Sequence, residues 1–567
     1  MKKLAVLFGI CLLAGSLFVG GCRKKASAPA GGTQGEVKKG ALAKGDVTFT
    51  AFIVGLNNLV SSYDYKDNVF TRRVVDETGI NLEFIASSGA DAPQRLNVLL
   101  NTGDYPDLII DGSGNSRLSI ADLAFYGKEG IFLALDQYDP MSFPNIKAAF
   151  DEYPAFNDIL RGPDGKLYGL PAANDCIHCR YGNNQGLYYK PFMDKYGKPV
   201  PQTLDELTAY LRWVRDNDVN GNGNKNDEIP MAFEKDSLRV FVDIFAKSFM
   251  PFVNINYFGL SRNGKEVVEQ YKAKEFRDTL KYLAAWYKEG LILPDSFSQP
   301  RQQLQALATQ DTPVIAVSTS NAANNNGSEY YYRARWLPVL TGPAGEKHAF
   351  DLGPWSILRA GMFITDKCKD PKLALGLYNY FLNFDVMLDG YVGPKGYGWD
   401  DADPNGISLM GEKATYKILK TYATADVNYT WDQNAPMLRN RAFRYGEQAN
   451  EVPRIQEWLK TGDLSLLDAM KANKSYNEVK NVLQATVRIP DGTPMDKAVP
   501  PLPMDAADTR RIGDINAVLE TALDSYMVEF ITGARDINND AVWNAYLADL
   551  DRMGSKEKAA IIQKYLK

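Results

Sequence analysis

A chain of 567 residues is too long for a single hydrophobic core and should divide into two or more lobes. Hydrophobic residues at 45% and charged residues at 23% exclude a disordered chain, and aromatics at 11% supply material for cores or stacking surfaces. The formal net charge of −5 argues against nucleic-acid binding, which needs a concentrated basic face.

The chain opens with Lys2 and Lys3, an apolar run from Leu4 to Val19, and then Gly20, Gly21 and Cys22. This is the layout of a secretory signal peptide over residues 1–21, and the run is shorter than the roughly 20 residues a bilayer-spanning helix requires. Val19-Gly20-Gly21-Cys22 resembles the bacterial lipobox, whose cysteine is acylated and becomes the mature N-terminus. Cys22 is therefore the expected lipidation site, anchoring the protein on the extracytoplasmic face of the cell membrane. Residues 22–45 hold Ala, Gly and Lys but almost no large apolar side chain, so beyond the lipidated cysteine they read as a flexible tether.

Residues 46–54 and 82–85 read as strands with a helix over 67–78 between them. A helix carrying Leu96, Leu99 and Leu100 follows, closing at Gly103, and 107–110 is a short buried strand. This βαβαβ order predicts an α/β fold with a mostly parallel sheet. A second unit begins near Gly169-Leu-Pro171, with a strand at 187–190. Thr203-x-x-Glu206 then forms a capping box for a helix whose Leu204, Leu207, Leu211 and Val214 keep helical spacing. Helices are expected at 273–290 and 371–384, a strand at 313–317, and mostly helix from Thr509 onward.

The capped helix runs into Asp218-Val-Asn-Gly-Asn-Gly-Asn-Lys-Asn-Asp-Glu-Ile-Pro230. Asp218, Asn220, Asn222 and Asn226 put side-chain oxygens at EF-hand-like spacing, with Gly223 at the sixth position and the Asn224 carbonyl at the seventh. A hard cation takes about six to eight oxygens, and alternate residues of a curling loop can all turn inward. The loop departs from that pattern at its twelfth position, where Ile229 replaces the bidentate glutamate and the acids Asp227 and Glu228 come early. A metal-free polar turn is the plainer alternative. Catalytic zinc or iron would want His or Cys, and the loop has neither.

Of five cysteines, Cys11 leaves with the signal and Cys22 takes lipid, so Cys176, Cys179 and Cys368 cannot form a disulfide framework. Cys176-Ile-His-Cys179 lacks further zinc ligands, since the only other histidine is His348, and reads as a local disulfide or two loop thiols. The nucleophile elbow, the His-Glu-x-x-His pair and the phosphate-binding loop are all missing. A glycosidase needs only two carboxylates, so a secreted carbohydrate-active enzyme stays as a rival reading.

Leu96-Asn-Val-Leu-Leu-Asn-Thr-Gly-Asp-Tyr-Pro-Asp107, Asp164-Gly-Lys-Leu-Tyr-Gly-Leu-Pro171, Leu187-Tyr-Tyr-Lys190 and Pro201-Gln-Thr-Leu-Asp-Glu206 stand in the order found in extracellular solute-binding proteins of sugar-type ABC importers. The chain resembles the large lipoprotein branch of that family over nearly its whole mature length. Phe530-Ile-Thr-Gly533, Trp543-Asn-Ala-Tyr546 and Arg552-Met-Gly554 are similar to that branch too. The resemblance implies a two-lobed periplasmic-binding-protein-like fold with a hinge, the N-lobe taking 46–171 plus 354–388 and the C-lobe 172–353 plus 389–567. It implies a monomer that catalyses nothing, captures an oligosaccharide and delivers it to ABC permease subunits, with a sensor system as the rival recipient. It also implies a structural calcium in the Asp218 loop. One extra residue before Asp-Glu leaves the ligand set open among Asn226, Asp227 and Glu228.

A sugar offers weakly polar C–H faces and a rim of hydroxyls, so its site needs rings and hydrogen-bonding side chains. Tyr188, Trp355, Tyr397 and Trp399 are the expected rings, the last two in a glycine-rich stretch that looks unlike a packed strand. Asn57 and Asp111, each just past a predicted strand, are the expected polar contacts, because open α/β sheets bind ligands outside the carboxyl ends of their strands.

Overall fold

The structure is a computed structural model that describes residues 42–566 except 44–45, 55–64, 88–90, 113–117, 119, 177–179, 181–184, 320–329, 331–332, 351–356, 421–427, 450–451, 462–494 and 503. The expected signal peptide, Cys22, nearly all of the tether, Asn57, Cys179 and Trp355 lie outside the described residues. Among the described residues no helix is long and apolar enough to cross a membrane.

The first lobe begins with β1 (Val47–Val54), α1 (Val69–Thr78), β2 (Ile80–Ser87), α2 (Ala92–Thr102), β3 (Leu108–Ile110), α3 (Ile120–Lys128) and β4 (Leu170–Asn174). β1 pairs in parallel with both β2 and β3, the arrangement expected of the βαβαβ order. Local chemistry sets the helix ends. Asn68 accepts the Phe70 N–H at 2.9 Å to start α1, and Gly79, at φ 73°, stops it in the left-handed conformation. Ala51, Ile53, Leu108 and Ile110 are buried in one hydrophobic core, while Phe52 and Ile109 are buried in another on the opposite face of the sheet. Cover on both faces is why these strands read as unbroken apolar runs.

The second lobe holds β5 (Leu187–Tyr189), α4 (Leu204–Asp216), β6 (Ile229–Ala232), α5 (Leu238–Ala246), the hairpin β7 (Leu260–Asn263) and β8 (Glu266–Glu269), α6 (Lys274–Lys288), β9 (Ile315–Ser318) and β10 (Ala334–Trp336). The capping box forms: Glu206 N–H donates to Thr203 Oγ1 at 3.1 Å and Thr203 N–H to Glu206 Oε2 at 3.2 Å. Leu204, Leu207, Leu211 and Val214 are buried along one stripe of α4. The sheet runs β10-β5-β9-β6, with β6 and β9 parallel and β5 reversed.

The chain then returns to the first lobe through β11 (Leu358–Ile364), α7 (Pro371–Phe381), α8 (Phe384–Val392), β12 (Trp399–Asp401), β13 (Tyr416–Ile418) and β14 (Leu438–Arg439). The six-stranded sheet has the order β14-β4-β11-β3-β1-β2, with β11 alone reversed. This corrects the expected lobe boundary at 388. Tyr416, Trp431 and Phe443 are buried in the first lobe's core, and Trp431 Nε1 donates to Thr71 Oγ1 at 2.9 Å while its ring meets Phe70 edge-on at 5.0 Å. A large aromatic with a satisfied indole N–H is a strong packing anchor, so the segment carrying it stays with this lobe. α9 (Ala506–Thr532), α10 (Asp540–Arg552) and α11 (Ser555–Tyr565) join the second lobe late, burying Leu519, Leu523, Met527 and Phe530 in its core.

Topology fixes where the lobes connect. β4 ends at Asn174 on the carboxyl edge of its sheet, and the next strand, reversed β5, starts on the carboxyl edge of the other. β10 likewise ends at Trp336 on the carboxyl edge of the second sheet, and reversed β11 starts on that of the first. These two crossings therefore run from carboxyl edge to carboxyl edge, and a third, after β14, carries the chain to α9.

Candidate functional site

The first lobe's carboxyl edge gathers polar side chains at strand ends. Asp111 directly follows β3, is 3% exposed, and donates its backbone N–H to the Gly361 carbonyl at 2.9 Å. The turn after it admits only glycine, because a Cβ on Gly112 would lie 2.1 Å from the Ala435 carbonyl oxygen. Asn174 ends β4 and Arg439 ends β14, and the two are register partners. Arg439 is 5% exposed and sits over the Tyr391 ring at 5.3 Å, and its burial lowers the guanidinium pKa. Its Nη1 and the Asn174 Oδ1 are both buried with no hydrogen-bond partner among the described residues. Neighbouring Asp175 is already engaged, taking Arg180 Nη1 and the Tyr153 hydroxyl at 3.2 Å each.

The second lobe's carboxyl edge is built alike. Glu234, two residues past β6, is 5% exposed; its Oε1 accepts the Ser237 hydroxyl at 2.7 Å, while Oε2 is buried without a partner among the described residues. Thr319, one past β9, has its hydroxyl in the same condition. Trp336 ends β10 and is half-buried. None of Asn174, Glu234, Thr319, Trp336 or Arg439 was singled out in the sequence. The strand-end rule could have flagged Asn174 and Thr319, but a two-residue strand such as β14 has no readable pattern.

The expected rings among the described residues are engaged within the protein. Trp399 is 5% exposed in the first lobe's core, and its Nε1 donates to Asp389 Oδ1 at 2.6 Å. Tyr188 is packed in the second lobe's core, where burial raises its phenol pKa. Tyr397 stacks on Tyr429 at 4.2 Å and 16°, with Lys420 Nζ 3.9 Å from its ring centre. Trp399→Phe is accordingly expected to cost about 1–3 kcal/mol of stability, the price of a buried acceptor losing its donor. Thermal melting and sugar titration on the same protein check this; weakened binding at unchanged stability would return Trp399 to the ligand.

The Asp218 loop curls as its spacing foretold. Asp218 Oδ1 accepts the N–H groups of Gly221 at 2.8 Å and Asn222 at 3.1 Å, and Oδ2 accepts that of Gly223 at 2.8 Å. Asn220, Asn222 and Asn224 each accept the N–H two residues on, at 2.9, 2.7 and 3.2 Å. The ladder holds the oxygens of Asp218, Asn220, Asn222 and Asn224 against the loop's own backbone. Glu228 Oε1 accepts the N–H groups of Val219 and Asn220, at 2.7 and 3.0 Å, and Asn222 Nδ2 donates to Asp227 Oδ2 at 2.6 Å. Asp227 Oδ1 and Glu228 Oε2 are buried without hydrogen-bond partners among the described residues. Two such carboxylate oxygens fit a hard cation. No cluster of three or more His, Cys, Asp or Glu is gathered as a metal site among the described residues, so amide and backbone oxygens would have to complete the set. Cys176 is buried.

The sequence signature of bacterial extracellular solute-binding proteins matches residues 70–398. The fructooligosaccharide ABC transporter substrate-binding protein FusA of Streptococcus pneumoniae serotype 4 (strain ATCC BAA-334 / TIGR4) is 26% identical over 525 residues, 89% of this chain and 88% of FusA. Lipoprotein LipO of Bacillus subtilis (strain 168) is 25% identical over 213 residues, 35% of this chain and 36% of LipO. FusA in complex with kestose superposes with a TM-score of 0.66 at 19% identity, over 91% of this chain and 98% of that one. It is also known as an EF-hand mutant in complex with fructo-nystose. An extracellular solute-binding protein from Bifidobacterium longum subsp. infantis superposes at 0.69 and 20% identity, over 92% and 99%. These likenesses show the two-lobed fold. Because the family signature covers more than half of the chain, the protein belongs to the bacterial extracellular solute-binding proteins.

Proposed function

We propose that the protein captures an oligosaccharide between the carboxyl edges of its lobes and passes it, chemically unchanged, to the permease subunits of an ABC importer. The observation that carries this reading is the pair Arg439 Nη1 and Asn174 Oδ1, on residues in register at the ends of β14 and β4 and both without a hydrogen-bond partner among the described residues. A sugar hydroxyl both donates and accepts, so one hydroxyl can give its proton to Asn174 and take a hydrogen bond from Arg439. Asp111 would bind a neighbouring hydroxyl. Glu234 and Thr319 would take the solute's other side and Trp336 a ring face, so that the ligand favours closure of the lobes. FusA, named for fructooligosaccharide transport, supports the substrate class and makes kestose the first probe.

The test is calorimetric titration with kestose and a panel of other oligosaccharides. Arg439→Met is expected to weaken binding by about 1.5–3 kcal/mol, roughly 10- to 150-fold, with folding verified by circular dichroism. Wild-type protein that binds nothing in the panel would defeat the substrate class. Undiminished binding by Arg439→Met would defeat the proposed edge.

Cys22 would tether the protein through lipid to the extracytoplasmic face of the membrane, a reading that kinship with LipO supports. Asp218, Asn220, Asn222, Asp227 and Glu228 would hold a structural calcium ion, with Asn224 contributing its carbonyl and Asn226 the least engaged of the group. The ion would neutralise the loop's carboxylates and cross-link its turns. The EF-hand described for FusA supports it.

A further inference from the structure

α9 is 27 residues long, about 40 Å at 1.5 Å per residue, and its body belongs to the second lobe. Ile515, Leu519, Leu523 and Phe530 are buried there, and Arg239 of α5 ties its outer side through Asp524 and Glu520 at 2.7 Å each. Its N-terminal end is braced by α11 of the same lobe. The Tyr565 hydroxyl lies 2.7 Å from Asp505 Oδ2 and 2.8 Å from Asp508 Oδ2, and Arg511 pairs with Glu557 at 2.6 Å. That end must therefore move with the second lobe.

Yet it rests on α3 of the first lobe. The Arg510 guanidinium lies 5.4 Å from the centre of the Phe125 ring. Asp122, Phe125 and Tyr126 stand at i, i+3 and i+4, so they share one face of α3. Both charges act on the same phenol: burial raises the Tyr126 pKa, Asp122 raises it further, and Arg510 opposes that. Phe125 and Tyr126 in turn pack in the core that lies against β1, β3 and β11. α3 lies on none of the segments that join the lobes, so this contact is free to break when they move.

We propose that Arg510 is a latch between the lobes, holding the tip of α9 on the Asp122–Phe125–Tyr126 face of α3 and so biasing how far apart the lobes stand. An exposed cation over an aromatic ring would shift such an equilibrium by about two- to fivefold. A rotation of one lobe against the other that carries α3 away from α9 must break this contact, so its strength enters the cost of the motion on which capture depends.

Spin labels at exposed Asp104→Cys in the first lobe and Glu275→Cys in the second report the lobe separation in the full chain. Arg510→Ala is expected to drain population from the lobe separation in which α9 rests on α3 and to spread the distribution. Phe125→Ala should do the same, the double variant should do no more than either alone, and Arg510→Lys should recover part of the effect. Kestose affinity should change by the same about two- to fivefold, in one direction for both single variants. An unchanged distance distribution in Arg510→Ala, or additive effects in the double variant, would overturn the latch. The distance measurement decides even if kestose is not the solute, so failure of the substrate reading remains separable.

Discussion

Arg73→Met is expected to destabilise the first lobe by about 3–5 kcal/mol, the cost of leaving a buried charge without its partner. Arg73 on α1 pairs with Glu77 at 2.8 Å, Asp385 at 2.6 Å and Asp389 at 2.6 Å. The three carboxylates are not equal. Asp385 is more than half exposed and worth little, whereas the Asp389 side chain is 7% exposed and also holds Trp399. Burial raises the Asp389 pKa above its ordinary value even with Arg73 beside it, so without Arg73 the pKa should rise further. A carboxyl group whose folded pKa exceeds its unfolded value stabilises the fold when protonated, and that stability is lost as pH rises through the folded pKa. The defect should therefore shrink as pH falls toward the ordinary aspartate range. Arg73→Met combined with Asp389→Asn should recover most of the loss, because a neutral amide leaves no buried charge. Calorimetric unfolding across pH measures all of this. A loss below about 1 kcal/mol, typical of a surface ion pair, would show that Arg73 is not the lobe's electrostatic anchor.

Chelation of calcium is expected to destabilise the second lobe by about 4 kcal/mol when the ion is present at a thousand times its dissociation constant. For a lobe of this size that lowers the melting temperature by roughly 2–4 °C per kcal/mol. Asp218→Ala should reproduce the loss, since that carboxylate alone gathers the N–H groups of Gly221, Asn222 and Gly223. Sugar affinity should hold. The loop enters β6 at Ile229, on the amino edge of the sheet, and four residues of strand, about 13 Å, separate it from the carboxyl edge where Glu234 lies. Elemental analysis of purified protein, with melting in the presence and absence of chelator, checks the expectation. Metal-free protein whose melting ignores the chelator would reduce the loop to a polar turn.

The sequence alone carried what short-range chemistry decides. The βαβ alternation of residues 46–110 foretold the parallel start of the first sheet, and Thr203 with Glu206 foretold the cap of α4. The alternate oxygens from Asp218 foretold a curling loop, in which Asp218, Asn220, Asn222 and Asn224 accept N–H groups of the loop itself, because caps, turns and periodic faces involve residues only a few positions apart. The ordered family motifs identified the solute-binding class for the same reason, being local strings.

Tertiary structure decided the site. Arg439 stands beside Asn174 only because a two-residue strand from the far end of the chain pairs with β4, and no local pattern announces such a pairing. Strand insertion likewise determined that reversed β11 enters between β3 and β4, which brings the crossing from β10 to the carboxyl edges. The glycines around Trp399 suggested exposed rings, but Gly398 is there because a Cβ would fall 2.1 Å from the Val392 carbonyl oxygen. That close backbone approach draws Trp399 inward, onto Asp389. Which face of a ring meets solvent, and which buried polar atom lacks a partner among the described residues, depends on neighbours distant in sequence, so the fold class could be read from the chain while the proposed binding edge required the structure.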